Sequence, residues 1–572
     1  MSGVKADILV VGGRVFEGGD PRRPEAFPPG SADGPPPEEG PEAVAVAEGL
    51  VAWVGRESEA RAWRGPATEV IDARGGLVAP GFEDAHLHFR MGALSLLQVD
   101  LQGADTVDDI AVRLREWQAS HPATDWVVGR GWHYGIFPGG MPDRQLLDRL
   151  VPDRPAVLEC FDGHTHWLNS AALARAGITH ETPDPPHGTV ERDPTTGTPT
   201  GILKEFAHEL LADVLPRSSE EELRGAIRSA IGLAHQKGIT AVQEAWTEMD
   251  DLDRYASLRE EGPLGLRFRV AFPADPVDWR DDVGGGRRAW GARLDAHAAQ
   301  LAAVGSDEWL AGGIVKAFAD GVIESRTAWM LAPYEGAEEG AADALGRPNW
   351  SPEALTAMTS LAVERDWQVE IHAIGDAAIR AALDAHQEAI SSLGQRDARG
   401  RLEHVEWPDP ADVARFGAQG VIASMQPYHA NPAPRSARIQ ALQVGPRTEH
   451  GWPWRSILGA GGVVAFGSDW PVASFDPMVH LHTAVTRTDP HGRPPGGWLP
   501  GERLSVAEAL ACYTWGSAFA AKAERERGSI VPGKAADLVV LDRDLLAEGP
   551  SAIAGTHVRA TICGGRIVYR AA

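Results

Sequence analysis

Cysteine is nearly absent from this chain. Cys160, Cys512 and Cys563 are the only three in 572 residues, too few and too scattered for a disulfide framework or a cysteine-type zinc site. Long apolar runs are missing as well. None approaches the roughly 20 residues that cross a bilayer, and Met1–Val11 lacks the basic-then-apolar order of a secretory leader. There is no basic excess either. Fifty-four Lys and Arg stand against 80 Asp and Glu, a net charge of −26, which argues against nucleic acid or an anionic membrane as a partner. These absences lead to the expectation of a cytoplasmic chain that acts on a small molecule. Hydrophobic residues make up 43% of the sequence, enough for a large core, and the length admits more than one domain.

The two ends read alike. Short apolar strands fall near 6–15 and 44–54, and again near 536–541 and 560–569, so both termini are expected to build one small β-sandwich domain from residues 1–80 and 525–572. Between the first two strands lies a Pro/Gly/Glu-rich stretch, Gly18–Glu42, expected to be a flexible surface loop. The middle alternates strands with helices. Eight short apolar runs begin with Val78–Phe89 and continue at 239–245, 266–274, 313–319, 368–374, 401–407, 421–428 and 463–467. Eight alternations of this kind predict a (β/α)8 TIM-type barrel over 81–524. Residues 100–215 exceed any simple crossover. They are expected to form an insertion after the first barrel strand that covers the mouth and selects the substrate.

Reactive groups in such barrels sit at the C-terminal ends of strands. The first run ends in His86-Leu87-His88, and residues two apart on a strand point the same way, roughly 7 Å apart at the backbone. Later runs supply Lys316, His372, His404 and, after Gly467-Ser468, Asp469. Four imidazoles and a carboxylate can hold two divalent ions with room for water, and two metals bridged by hydroxide make a nucleophile near neutral pH. A buried lysine is pushed towards its neutral form and can add carbon dioxide to become a carbamate, a bridging oxygen ligand. Asp469 can bind a metal and also take the proton of the attacking water.

These motifs resemble the amidohydrolase superfamily, and more closely its YtcJ-like branch, which includes N-substituted formamide deformylases. The resemblance rests on Pro80-Gly81-Phe82-x-Asp84-x-His86-x-His88, Lys316-x-Phe318-x-Asp320-Gly321, Ile371-His372-Ala373-Ile374-Gly375-Asp376, Glu403-His404, Ser424-Met425-Gln426-Pro427, Gly467-Ser468-Asp469-x-Pro471-Val472 and Gly528-Ser529-Ile530-x-Pro532-Gly533-Lys534-x-Ala536-Asp537-Leu538. Gly163-His164-x-His166-Trp167-x-Asn169-Ser170 carries it through the insertion, so that it covers essentially the full length. It implies His86 and His88 on one metal with Asp469, carboxylated Lys316 bridging, and His372 and His404 on the second metal, with zinc the expected ion. Asp469 and Lys316 are the expected catalytic residues.

The leading expectation is a hydrolase that cleaves a C–N bond of an N-acyl or N-formyl amine. A mononuclear deaminase of the same superfamily needs no bridging lysine, and a non-catalytic scaffold would lack ligands. A small-molecule amide is the expected partner, and a homodimer is an admissible assembly. Trp132, His164, His166, Trp167 and Asp320 are the candidate substrate contacts. Aromatic residues at Trp132, Phe137, Trp167, Trp246, Trp329 and Trp470 suggest a partly hydrophobic substrate.

Overall fold

A computed structural model describes residues 5–23, 40–137, 140–161, 163, 165–185, 188–279, 283–338, 341, 344–394, 397–431 and 435–571. Most of the expected loop at Gly18–Glu42 lies outside them. The chain forms two compact units. One comprises Met1–His88, Ile231–Asp469 and Ser474–Ala572, and the other Phe89–Ala230 with Trp470–Ala473.

The first unit contains an eight-stranded parallel sheet in sequence order. Its strands are β1 (Phe82–Leu87), β2 (Ile239–Glu244), β3 (Arg267–Pro273), β4 (Leu310–Phe318), β5 (Gln368–Ala373), β6 (Arg401–His404), β7 (Ile422–Met425) and β8 (Val463–Phe466). All eight apolar runs of the sequence become these strands. β1, β2 and β5 to β8 are buried along their whole length, as parallel strands covered on both faces are. The residues after β8 return to β1: Ser468 N donates to Asp84 Oδ1 at 2.9 Å and Asp469 N to the His86 carbonyl at 2.7 Å. The approach requires glycine at 467, where a Cβ would lie 2.5 Å from His86 N. The sheet is therefore drawn round into a TIM-type barrel.

Both termini contribute to a β-sandwich. One sheet runs 50–55, 43–47, 8–11, 69–72, and the other 14–15, 77–80, 538–541, 558–563, 566–570. Ile8, Val10, Val44, Val46 and Ile71 from the first pack with Val78, Leu538, Val540 and Ile562 from the second in one buried cluster. The Val78–Val540 pairing joins segments far apart in sequence.

The second unit has its own six-stranded sheet, ordered 188–192, 199–205, 165–168, 156–160, 127–132, 99–100. The sheet includes strands 188–192 and 199–205. These two strands form a hairpin in which Val190 opposes Leu203, with Val190 and Leu203 buried among Leu168 and Leu173. Among the described residues no helix is long and apolar enough to cross a membrane.

One buried histidine of the barrel layer makes stability depend on pH. His386 lies in helix Asp376–Leu393 and packs under Gly400, where a Cβ would sit 2.3 Å from its Nδ1. Burial pushes its pKa down to about 4, partly opposed by the Arg401 backbone. Above about pH 6.5 the ring is neutral in both states and its contribution is complete. Between 6.5 and 4 the unfolded chain takes up a proton that the folded chain refuses, so stability falls as pH falls, by up to about 3 kcal/mol. Urea midpoints measured from pH 8 to pH 4.5 should show a shallower slope in His386→Leu than in the parent. Parallel slopes would remove His386 as the source.

Candidate metal centre

The C-terminal ends of five strands bring six donors together. His86 closes β1, with His88 one residue beyond, and their ring centroids lie 5.6 Å apart. His404, the last residue of β6, stands 5.0 Å from His86 and 4.5 Å from His372 of β5. Lys316 of β4 is fully buried, its Nζ 3.5 Å from His86 Nε2. Asp469 follows β8 and sits between the histidines. One oxygen is 3.6 Å from His86 Nε2 and 3.5 Å from His88 Nε2, while the other is 4.0 Å from His404 Nδ1.

Each buried imidazole has one nitrogen held by the protein. His86 Nδ1 lies 2.7 Å from Glu403 Oε2, leaving Nε2 towards Lys316 and Asp469. His404 Nδ1 is 2.8 Å from Gln426 Oε1, and His372 Nε2 is 3.0 Å from the Gly321 carbonyl. Such second partners fix the tautomer and orientation that a ligating histidine needs. Burial, then the positive Lys316 nearby, holds His86 well below its ordinary pKa. Burial, then His372, does the same to His404. Both rings are therefore neutral, the form that ligates. Burial also lowers Lys316, although Glu370, Glu403 and Asp469 pull the other way.

Beneath the donors runs a buried charge network. Arg401 Nε donates to Glu403 Oε1 at 2.9 Å, its Nη1 lies 3.4 Å from Glu370 Oε2, and it also bonds Gln243 and the Ala85 carbonyl at 2.6 Å. Gln243 Nε2 in turn reaches Glu83 Oε1 at 3.3 Å, and Arg527 donates to both Glu83 oxygens at 2.9 and 3.0 Å. The outer sphere of the histidines is thus set by residues that point into the barrel.

One residue at this site was not singled out from the sequence. His429, on the turn Pro427–Ala430 after β7, places Nε2 3.6 Å from Asp469 Oδ2 and Nδ1 3.4 Å from Glu406 Oε1. Two donor groups share Asp469 as a result: His86, His88 and Asp469, and His404, His429 and Asp469. Burial lowers the His429 pKa, but the bond to Glu406 and the Asp469 charge outweigh it and the net shift is upward. The only sequence signal was a histidine two residues beyond Gln426-Pro427. Asp469 and His404 both have positive φ, 61° and 76°, a conformation costly for non-glycine residues and found where neighbours over-determine it.

The candidate substrate contacts fare differently. Trp132 and Trp167 are fully buried in the second unit's own core, edge-on to each other and to Phe137. Their indole nitrogens donate to Leu158 and Asp143 carbonyls, each at 2.8 Å. Both pack in that core together with Phe137. His166 is half-buried and stacks on His208 with centroids 5.2 Å apart. His164 lies outside the described residues. Asp320 is also not open to substrate. It accepts the backbone N–H groups of Ile374, Gly375 and Trp329, which organises the loops after β4 and β5, while burial pushes its carboxyl up to about 8.

The residues fit a divalent-metal centre. Neutral imidazoles face a shared carboxylate, and His429 Nε2 is a buried nitrogen with no hydrogen-bond partner among the described residues. A buried barrel-end site of this composition defines a metal-dependent hydrolase of the amidohydrolase type. The chain belongs to the amidohydrolase family, whose model matches residues 69–569. It is 31% identical to the putative amidohydrolase YtcJ of Bacillus subtilis over 92% of this chain and 96% of that one. It is 30% identical to the N-substituted formamide deformylase of Arthrobacter pascens over 88% and 90%. The solved structure of an uncharacterized metal-dependent hydrolase from Pyrococcus furiosus superposes with a TM-score of 0.66 at 24% identity, covering 94% of this chain and 99% of that one.

Arg401 is the keystone of the buried network. Arg401→Met would leave Glu370 and Glu403 without their cation and should cost about 3–5 kcal/mol, the scale for breaking a buried pair from one side. Chemical denaturation monitored by circular dichroism measures it. A loss below about 1 kcal/mol would mean that water screens these carboxylates.

Proposed function

We propose that the protein is a two-metal hydrolase of a C–N bond, acting on an N-acyl or N-formyl amine. The observation that carries this reading is the convergence of His86, His88, His372, His404 and Asp469 on a buried lysine whose amine is driven towards neutrality. His86, His88 and Asp469 would hold one ion, and His372 and His404 the other. Lys316 would bridge them once its Nζ adds carbon dioxide, forming an N–C bond and releasing one proton. The similarity to an N-substituted formamide deformylase supports the choice of bond. Zinc suits the imidazole-rich donor set. Three buried free cysteines accord with a reducing, cytoplasmic setting.

When bound, the ions supply an ionised water near neutral pH and polarise the scissile carbonyl. The chain's own residues do the rest. Asp469 accepts the proton of the attacking water and returns it to the departing nitrogen. Its φ of 61° and its N–H bond to the His86 carbonyl fix where that carboxylate points. His429, backed by Glu406, flanks the second Asp469 oxygen and keeps it from rotating away. Glu403 and Gln426 hold His86 and His404 in a single tautomer. Trp246 packs against Phe318 with centroids 5.6 Å apart and gives the mouth an apolar wall for the acyl or amine substituent.

Metal content and turnover test the reading together. Protein loaded with zinc in the presence of bicarbonate should hold close to two ions per chain, and Lys316→Ala close to one or none. One ion per chain in the parent would point to the mononuclear deaminase, and none to a scaffold. Asp469→Asn keeps the shape but removes the base, so kcat on N-formyl amines should fall by roughly 10²- to 10⁴-fold. An unchanged rate and pH profile would assign the base elsewhere.

A further inference from the structure

The opposite end of the barrel carries a second polar pocket. The first residues of β3 and β4, the turn before β4 and the segment Ala521–Arg527 line a cleft of about 440 Å³ that is open to solvent. Four cations line it: Arg267, Arg269, Lys522 and Arg527. Three of them are committed. Arg267 Nε donates to Asp537 Oδ2 at 2.8 Å and its Nη1 to Glu308 Oε2 at 2.8 Å. Arg527 is bound to Glu83 at 2.9 Å, and Lys522 Nζ to the Asp397 carbonyl at 3.0 Å. Arg269 differs. Its Nε is buried and has no hydrogen-bond partner among the described residues. Glu83 and Glu370 attract its charge while Arg527 and Arg401 repel it, and burial pushes its pKa down to about 10. Arg269 as a whole is half-buried and lines the cleft, and a buried N–H without a bonded partner is costly. Two residues earlier on the same strand, Arg267 shows how this fold pairs an arginine that is purely structural.

We propose that this cavity is a binding site for a small monocarboxylate, anchored by the Arg269 guanidinium. A planar fork of N–H donors matches a carboxylate in two parallel hydrogen bonds. The acidic lining, Asp307, Glu308 and Glu526, sets the charge of the guest. It repels a multiply charged phosphate more than a singly charged acid. Phe268, Ala311 and Ala521 add an apolar wall for a short alkyl tail. The site is separate from the histidine centre, which occupies the C-terminal strand ends, and rests on none of the metal assignments.

Calorimetric titration of sodium acetate and sodium butyrate into the full, metal-loaded chain at constant ionic strength tests it. Any acetate that binds at the histidine centre contributes equally to the parent and to Arg269→Met. The parent should show a saturable event that weakens about tenfold or more in Arg269→Met, the scale of one charge-assisted pair. Inorganic phosphate should bind the parent more weakly than acetate. Identical isotherms in the two proteins, or no saturable event in the parent, would leave the cavity to water and overturn the proposal. Phosphate binding as tightly as acetate would overturn the assignment of a monocarboxylate. Ser306 is exposed on the cavity rim, so Ser306→Glu adds repulsion without touching the buried charges. It should weaken acetate severalfold, and an unchanged affinity would equally count against the site, whether or not Arg269→Met folds.

Discussion

The interaction on which the rest depends is the buried contact between Arg401 and its carboxylates. Fully enclosed charges are tolerated only where they are paired and hydrogen-bonded. Arg401 satisfies Glu403 and draws on Glu370, Gln243 and a β1 carbonyl in one step. Glu403 can then turn its other oxygen to His86. Without the arginine, Glu403 would be a buried carboxylate without its bonded cation, and it would cease to hold His86 in one tautomer. The donors at the mouth are thus oriented by a cation roughly one residue layer deeper. This is how a barrel filled with charge, rather than with branched apolar side chains, remains a packed core.

The same arrangement explains the division of labour between the two ends. Residues at the C-terminal strand ends are held in unusual backbone conformations, with His404 and Asp469 at positive φ. Their neighbours supply the constraint: the Asp469 N–H is tied to the His86 carbonyl and the Ser468 N–H to Asp84. Burial pushes the Asp84 carboxyl up to about 7, against its bonds from Ser468 and His86, so the clamp that closes β8 onto β1 is itself costly. Strain and buried charge collect where the chemistry is, and the sandwich and helices bear the cost through ordinary apolar packing.

Much of this was legible in the sequence because period and position carry it. Eight apolar runs of strand length gave the barrel, since parallel strands must be apolar on both faces. Polar residues that end such runs sit at the mouth, which is why His86, His88, Lys316, His372, His404 and Asp469 could be gathered from the sequence. His429 escaped because it sits on a turn, where no periodicity predicts direction. Asp320 ends a strand like the others but bends back to bond three backbone N–H groups, a choice set by the loops around it. Trp132 and Trp167 are ambiguous in the sequence for a different reason. An aromatic residue beside histidines looks the same in a substrate pocket and in the core of an inserted lobe. Only the sheet that places Trp167 between Ile202 and Leu158 separates the two.

The Arg269 cavity belongs to the part that sequence could not reach. In the run Arg267-Phe268-Arg269-Val270, both arginines fall on one face of β3 by alternation. Nothing in that pattern tells which is paired. Arg267 meets Asp537 from the C-terminal strand region, a partner 270 residues away, while Arg269 meets a cavity. The difference arises from tertiary placement of the segment after helix Ser517–Ala520, where Lys522 takes a φ of 59° and Arg527 claims Glu83 before Arg269 can. Two chemically identical side chains, two residues apart, are thereby given opposite fates: one fastens the sandwich to the barrel, and the other is left with its charge directed at a space that an anion can enter.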